Sequence, residues 1–184
     1  MRIRLNLFNI RVPKVFYLVF AILIILFVIW RMLTASSEID KMLEGFSVET
    51  VTDSEVADKV LYSAHSSWHS YSGKGSGVDS NRYDDVDRDI CEYSIGELKG
   101  FLVASASNAE NAKLTLKIMS KMEAGAGKIA IIKDGAVLEY VEFGVDVTRE
   151  YDVSGKSLFL VKAICDEAKI ELTVERTITK NNQP

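Results

Sequence analysis

Residues 157–175 read SLFLVKAICDEAKIELTVE, and this stretch decides the fold class of the chain. Its apolar residues recur at every second position in two runs, which are Phe159, Val161, Ala163 and Cys165, and then Ile170, Leu172 and Val174. A period of two is typical of β-strands with one buried face, because successive side chains point to opposite sides. We therefore expect two half-buried strands with Lys162 facing solvent, so that Val161→Asp should unfold the domain and Lys162→Asp should not.

Upstream of this stretch, the same period places four apolar residues on one side of a strand, namely Leu114, Leu116, Ile118 and Met122. The pair Asp134-Gly135 separates residues 128–133 from residues 136–143 and predicts a hairpin, while Ser154-Gly155 predicts another turn. No clear helical pattern follows about residue 90. The chain is therefore predicted to be mainly β, with an antiparallel β-sandwich of the jelly-roll type.

A second diagnostic stretch lies near the start of the chain, where residues 15–30 contain no charged side chain and are bounded by Lys14 and Arg31. Sixteen helical residues cover about 24 Å of the roughly 30 Å hydrocarbon core of a bilayer. Tyr17 and Trp30 are aromatic residues of the kind found at membrane interfaces. We predict a transmembrane helix over residues 15–33 that contacts the lipid bilayer.

Basic residues before this helix indicate its orientation. Residues 1–14 contain Arg2, Arg4, Arg11 and Lys14 but no acidic residue, so this basic tail is expected in the cytoplasm. The alternative is a cleaved signal peptide, because small residues at 35–37 resemble a processing site. Arg31 favours a retained anchor, since a charge directly after the apolar run suits a membrane stop. Either interpretation places the folded part outside the cytoplasm, as a single-pass plasma-membrane protein if the anchor is retained.

Charge limits the classes of partner. Five of the 22 basic residues and none of the 26 acidic residues lie in the first 31 positions. Residues 34–184 therefore carry 17 basic and 26 acidic side chains, a net charge of about −9. This surface argues against nucleic acid as a partner. An envelope protein or a cell-wall glycan is the expected partner instead.

Residues 34–62 are predicted to form a helical stalk next to the membrane. Apolar residues at helical spacing are Ile39, Met42, Leu43 and Phe46, with Gly45 as a stop signal. A weaker helical pattern, beginning at Asp53 or Ser54, places on one face Val56, Val60, Leu61, Ala64 and Trp68. The exported β-sandwich domain is then expected over residues 63–184, which is long enough for one core.

Several short motifs occur in a fixed order over residues 65–178. They are Ser-Gly-Lys-Gly-Ser-Gly at 72–77, Ile-Gly-Glu-Leu-Lys-Gly at 95–100, Gly-Lys-Ile-Ala-Ile-Ile at 127–132 and Gly-Lys-Ser-Leu-Phe at 155–159. In this order the chain resembles uncharacterised envelope proteins of Gram-positive bacteria that are anchored by their amino termini. The resemblance implies an exported domain similar to galactose-binding-like jelly rolls, and it implies no catalytic residues.

The two cysteines, Cys91 and Cys165, are too few for a disulfide scaffold or a structural zinc site. The sequence is compatible with one disulfide between them. The alternative is two buried free thiols that behave as small apolar residues.

Two groups of residues are candidate metal ligands. His65 and His69 would share a face if they lay on a helix, although the glutamate of a zinc-protease helix is missing between them. Asp85, Asp87 and Asp89 have the alternate spacing of a calcium loop, but glycine and glutamate are absent where that loop requires them. We expect no cofactor, with calcium as an open alternative.

Trp68, Tyr71 and Tyr83 lie close together in the sequence among polar and acidic residues, a combination that binds sugars, although such aromatics are more often part of a core. A calcium-dependent glycan-binding module is therefore one alternative function. A sortase-like cysteine transpeptidase is another, because Cys165 is followed by Arg176 in an anchored, exported β-protein. Neither set is complete, so the sequence favours a membrane-anchored, non-catalytic binding or interaction protein of the cell envelope.

Overall fold

A computed structural model describes residues 14–74 and 86–180. It contains helices and strands in the order α1 Lys14–Met42, α2 Asp53–Asp58, β1 Tyr62–Lys74, β2 Val86–Lys133, β3 Ala136–Glu142 and β4 Val147–Lys180. The chain divides after Lys41 into a helical unit and a larger unit that holds the sheet. The predicted cytoplasmic tail lies outside the described residues, apart from Lys14, where α1 begins.

Helix α1 continues without a break from the predicted transmembrane segment into the beginning of the predicted stalk. It ends at Met42, close to Gly45, whose φ of +76° suits the turn that follows the helix. The large apolar residues between Val19 and Trp30 are all exposed on its surface. Within the described part of the chain, no helix is both long and apolar enough to cross a membrane.

Helix α2 is short because strong signals define both of its ends. The Thr52 side chain accepts a hydrogen bond from the Glu55 backbone N–H, and the Glu55 carboxylate accepts one from Thr52 N–H, which together form a capping box. The chain is already extended at Lys59, and β1 begins at Tyr62. The longer helix predicted up to Trp68 is therefore wrong, because the residues from Tyr62 onward pair with β2 instead.

All strand pairs are antiparallel, which confirms the predicted mainly β, antiparallel class. Strand β1 pairs with residues 88–100 of β2, and β4 pairs with both halves of β2. The predicted hairpin is confirmed, since Lys133 pairs with Ala136 across Asp134 and Gly135. Both turn residues have positive φ, at +49° and +81°, as a two-residue hairpin turn of type I′ requires.

The long strands bend so that the sheet folds over itself. Residues 112–118 of β2 pair with both ends of β4, with 147–153 on one side and 174–180 on the other, whereas residues 100–110 pair with its middle part, 156–165. This is consistent with a β-sandwich. One layer contains residues 62–74, 86–98, 168–180, 112–124 and 147–153 in spatial order, and the other contains residues 100–110, 156–165, 126–133 and 136–142.

One of the bends occurs at the same level in three neighbouring strand segments. Gly100, Gly125 and Glu167 have φ values of +105°, +82° and +49°, and the pairing register shifts beside each of them. A side chain at Gly125 would collide with the backbone of Glu167 and Ala168. These positions therefore allow the strands to turn the corner while staying close together.

Two apolar clusters stabilise this unit. The main cluster lies between the layers and includes side chains from both halves of β2 and β4, such as Leu114, Ile129, Phe159 and Leu172. A second cluster lies on the other side of the second layer, where Val48 and Val56 pack on a patch formed by Phe101, Ala130, Ile132 and Ile164. Residues 160–165 are thus covered on both faces.

Burial on both faces overturns the prediction for Lys162. Val161 is 1% exposed in the main cluster, as predicted, but Lys162 on the opposite face is 0% exposed. The Lys162 Nζ atom donates hydrogen bonds to the carbonyl oxygens of Val56, Ala57 and Lys59. A polar residue in an alternating pattern indicates solvent only where one face of the strand is open, and here residues before the sheet cover that face.

Candidate functional site

Strand β1 forms one edge of the sheet. It pairs with β2 on one side, and in the described part of the chain no strand pairs with its other side. We name residues 62–73 the β1 edge. Residues 62–73 contain no Asp, Glu, Lys or Arg, although charged residues normally protect exposed edges from pairing with other chains. The β1 edge is therefore the candidate contact surface of this domain.

The aromatic residues predicted to bind a sugar do lie on this edge, but they do not form one platform. Trp68 is 58% exposed and Tyr71 is 65% exposed. They are three positions apart in a strand, and they therefore point to opposite faces of the sheet. The Tyr71 hydroxyl donates to Asp89 Oδ1 over 2.9 Å. Tyr83 lies outside the described residues, so Trp68 and Tyr71 offer two separate exposed rings, and only the Trp68 ring has no hydrogen bond to another described side chain.

The predicted calcium ligands are brought together around an arginine. Asp87 and Asp89 share one face of β2, as their spacing predicts, and both form salt bridges with Arg176 of β4. The Arg176 side chain is only 13% exposed, and its Nε atom has no hydrogen-bond partner among the described residues. A guanidinium group therefore neutralises these two carboxylates. Asp85 lies outside the described residues.

The histidines do not form the predicted pair on a helix. His65 and His69 lie in β1, both exposed, where residues four apart are separated by about 13 Å. The His69 ring stacks on the Tyr93 ring, with 5.9 Å between their centroids and 17° between their planes. In the described residues, no group of three side chains is arranged to hold a metal ion.

The cysteines are both free, so the disulfide left open by the sequence is not formed. Cys91 is opposite Val174, whereas Cys165 lies between Gly100 and Gly127 in a different part of the sheet. Burial raises the pKa of both thiols, and that of Cys165 rises to about 12. Such a thiol is not a nucleophile near neutral pH, because the thiolate is the reactive form.

The constellation expected for a sortase-like enzyme is also not assembled. Cys165 is 0% exposed, and β2 separates its strand from the histidines of β1. Arg176 is engaged by Asp87 and Asp89. The three residue types are present, but the fold holds each of them in a separate environment.

One polar cluster was not predicted from the sequence. Arg149 Nε donates to both carboxylate oxygens of Glu139 over 2.8 and 2.9 Å, and the Tyr151 hydroxyl donates to Glu139 Oε1 over 2.9 Å. Burial, followed by this hydrogen bond, raises the pKa of Tyr151. The cluster joins β3 to β4 across the two layers, so its role is structural. Its residues meet only because the chain reverses after β3, which spacing alone does not indicate.

Lys162 is a second polar residue whose surroundings the sequence did not predict. Burial lowers the pKa of its ammonium group, while the nearby Asp58 carboxylate acts in the opposite direction. The signal that could have found it is the apolar residue on either side, since Val161 and Ala163 belong to one face and Leu160 and Ile164 to the other. Apolar residues on both faces indicate a strand without an open side.

No protein-family model matches the chain, and no curated protein is detectably similar to it in sequence. The functional interpretation therefore rests on the residues and on their geometry.

Proposed function

We propose that this chain is a single-pass membrane protein whose β-rich domain lies outside the cytoplasm and acts by binding, not by catalysis. The observation that carries the proposal is the surface of α1. The large side chains at positions 19–30 are each between 44% and 57% exposed, and none is charged. A helix that is apolar on every side is stable only in apolar surroundings, and a lipid bilayer supplies them.

Orientation is supported by the charges on either side of the apolar stretch. The basic residues at positions 2–14 favour retention of that end in the cytoplasm, and the acidic remainder of the chain is the exported part. A jelly-roll arrangement is proposed for the sandwich, supported by a spatial order in which residues 168–180 lie between residues 86–98 and residues 112–124. Such an order requires strands to cross between the layers.

A binding role is supported by the state of the reactive groups. The Cys165 thiol is buried, with a pKa raised to about 12, while the aromatic residues of the β1 edge are exposed. An envelope protein is the proposed partner, because an uncharged edge strand can accept an extended segment of another protein as an additional strand. Trp68 favours a cell-wall glycan as the second candidate, since its exposed ring is free to stack on a sugar.

The membrane anchor is tested by fractionation of the full chain. We expect the protein to sediment with membranes after high-salt and alkaline washes and to enter solution only with detergent. The double variant Ile22→Arg/Ile25→Arg should leave the membrane fraction, because charged side chains are costly in the hydrocarbon core. Protease added to intact cells should digest residues after Arg31. Release of the unaltered chain by salt alone would contradict the anchor.

Binding is tested with a photo-reactive cross-linker placed at Ser67 on the β1 edge. Thr148, on the strand segment at the opposite side of the same layer, provides the matched control position. Cross-links to one envelope protein from Ser67 alone support the protein partner. If the protein sediments with purified cell wall and Trp68→Ala abolishes this sedimentation, the result supports a cell-wall glycan as the partner. Equal cross-linking at both positions with no retention on wall would contradict a role for the β1 edge.

A further inference from the structure

The segment that follows α1 lies across the outside of the second layer. We name residues 43–61 the strap. Leu43 and Val48 are buried, and Val56 is 0% exposed. An apolar patch made by Phe101, Ala130, Ile132 and Ile164 is covered by Val48 and Val56, together with the half-buried Phe46 and Val51. The strap is thus attached to the sheet along most of its length.

This attachment does not involve strand pairing. Apart from the bonds within helix α2, the backbone hydrogen bonds that residues 43–60 form with described residues remain inside the strap, and they are Phe46 to Leu43, Thr50 to Ser47, Val56 to Thr52 and Lys59 to Glu55. Among the described residues, Leu61 is the one strap residue whose carbonyl accepts a backbone hydrogen bond from the sheet, and this bond comes from Phe101 N–H over 2.8 Å. The strap can therefore leave the sheet without breaking the strand ladders.

Polar contacts hold the strap at two points. Lys162 Nζ donates to the carbonyl oxygens of Val56, Ala57 and Lys59 over 2.8, 2.7 and 3.0 Å. An ammonium group has three protons to donate, so all of them are used. At the other end of α2, the Tyr140 hydroxyl donates to Asp53 Oδ1 over 2.5 Å.

The Lys162 contact suits a reversible attachment. Carbonyl groups in the last turn of a helix lack partners within the helix and carry partial negative charge, which a cation neutralises. When the strap is closed, Lys162 and these carbonyl groups satisfy one another in a buried place. When the strap is open, water can hydrate both sides, so opening leaves no charge buried without a partner.

We propose that residues 43–61 form a releasable strap, latched by Lys162, that opens while the sheet stays folded. The strap joins α1 to the sheet, and its nineteen residues would span at most roughly 65 Å when extended. Opening converts a docked connection into a tether. With the membrane anchor proposed above, on which this step rests, the tether regulates how far the domain reaches from the membrane. The latch itself does not depend on that anchor.

Hydrogen–deuterium exchange of the full chain in detergent micelles tests the latch. In the unaltered protein, amides of the strap should exchange at least about tenfold faster than those of residues 112–118 and 128–132. Lys162→Met should accelerate exchange of the strap by about another tenfold and leave these sheet amides unchanged, because three carbonyl groups lose their donor. Lys156→Met, which alters an exposed lysine of the same strand, is the matched control and should change neither region.

Equal protection of strap and sheet in the unaltered protein would overturn the proposal, as would equal acceleration of both regions in Lys162→Met. If Lys162→Met does not fold, Tyr140→Phe provides the second variant, because it removes the Asp53 contact at the surface. It should accelerate exchange of the strap alone, and no acceleration there would contradict a strap that opens by itself. These results do not depend on membrane fractionation, so failure of the anchor and failure of the latch are distinguishable.

Discussion

Two neighbouring residues of β4 are both buried but contact different parts of the molecule. Val161 lies in the main cluster between the layers, and Lys162 lies beneath the strap. We expect Val161→Asp to cost about 3–5 kcal/mol, because it places an unpaired carboxylate in a core that cannot open locally. Lys162→Asp should cost about 1–3 kcal/mol, since release of the strap exposes the new carboxylate to water. Urea unfolding followed by circular dichroism measures both.

Lys156→Asp is the control for these two substitutions, because Lys156 lies on the same strand but is exposed. Its effect should be within about 0.5 kcal/mol. A Lys162→Asp variant as stable as this control would show that the buried contact contributes nothing. A Lys162→Asp variant as unstable as Val161→Asp would show that strap and sheet unfold together.

The thiol of Cys165 provides a test of whether cysteine chemistry is available. Because burial raises its pKa to about 12, almost no thiolate exists at pH 8, and the reagent also cannot reach the sulfur. In a Cys91→Ser variant, iodoacetamide should modify Cys165 at least about a thousandfold more slowly in the folded protein than in urea. Cys165→Ser, which retains the half-buried Cys91, is the matched control. Rapid modification of folded Cys165 would contradict this prediction and would favour cysteine chemistry at this site.

At the scale of elements, the corner of the folded sheet depends on backbone conformation and on space. Gly125 and Gly135 have almost the same φ, +82° and +81°. A Cβ atom at Gly125 would lie 2.5 Å from the Ala168 Cα atom, whereas at Gly135 nothing lies within 4 Å. A substitution at Gly135 therefore introduces backbone strain alone, whereas the same substitution at Gly125 introduces backbone strain and a steric clash.

Gly135→Ala should cost about 1–2 kcal/mol, because alanine disfavours the left-handed region. Gly125→Ala should cost more, about 3–4 kcal/mol, since the strand must also move away from β4. Thermal unfolding of the two variants measures the difference. Equal losses of stability would mean that the corner relaxes around a methyl group at no cost.

Elements that depend on local signals were predictable from the sequence. The alternation at 114–118 and 170–174 and the turn at Asp134-Gly135 identified buried strand faces and one hairpin correctly. The corner was not predictable, since Gly100, Gly125 and Glu167 are distant in sequence and become neighbours only through strand pairing. The helix predicted beyond Asp58 was wrong because sheet pairing outweighed a weak helical pattern.

The candidate site was predictable only in part. The exposed aromatics Trp68 and Tyr71 and the shared face of Asp87 and Asp89 followed from spacing. Their partners did not, because Arg176 reaches the aspartates through a pairing between β2 and β4 that is set by the whole sheet. Long-range register therefore decides whether a cluster of charged residues binds an ion or forms an internal salt bridge.

At the scale of the whole molecule, the domain is acidic but the β1 edge is uncharged, and we expect this difference to determine which surfaces of two protein molecules can come into contact. Net charge keeps acidic domains apart in solution, but the β1 edge contains no Asp, Glu, Lys or Arg, and its outer backbone groups pair with no strand among the described residues. The strand segment 147–153, at the other side of the same layer, carries Arg149, Glu150 and Asp152. Association at high concentration should therefore begin at the β1 edge.

Ser67→Lys places a charge on this edge without removing any side-chain contact that stabilises the fold. We expect light scattering of the unaltered chain in detergent to rise with protein concentration and with added salt, and we expect Ser67→Lys to suppress that rise. Thr148→Lys adds the same charge to a segment that is already charged, so it should scatter like the unaltered chain. If Thr148→Lys suppresses scattering as strongly as Ser67→Lys, association depends on net charge and not on the edge. Because a positive charge lowers the net negative charge of both variants equally, only their difference reports on strand pairing at the β1 edge.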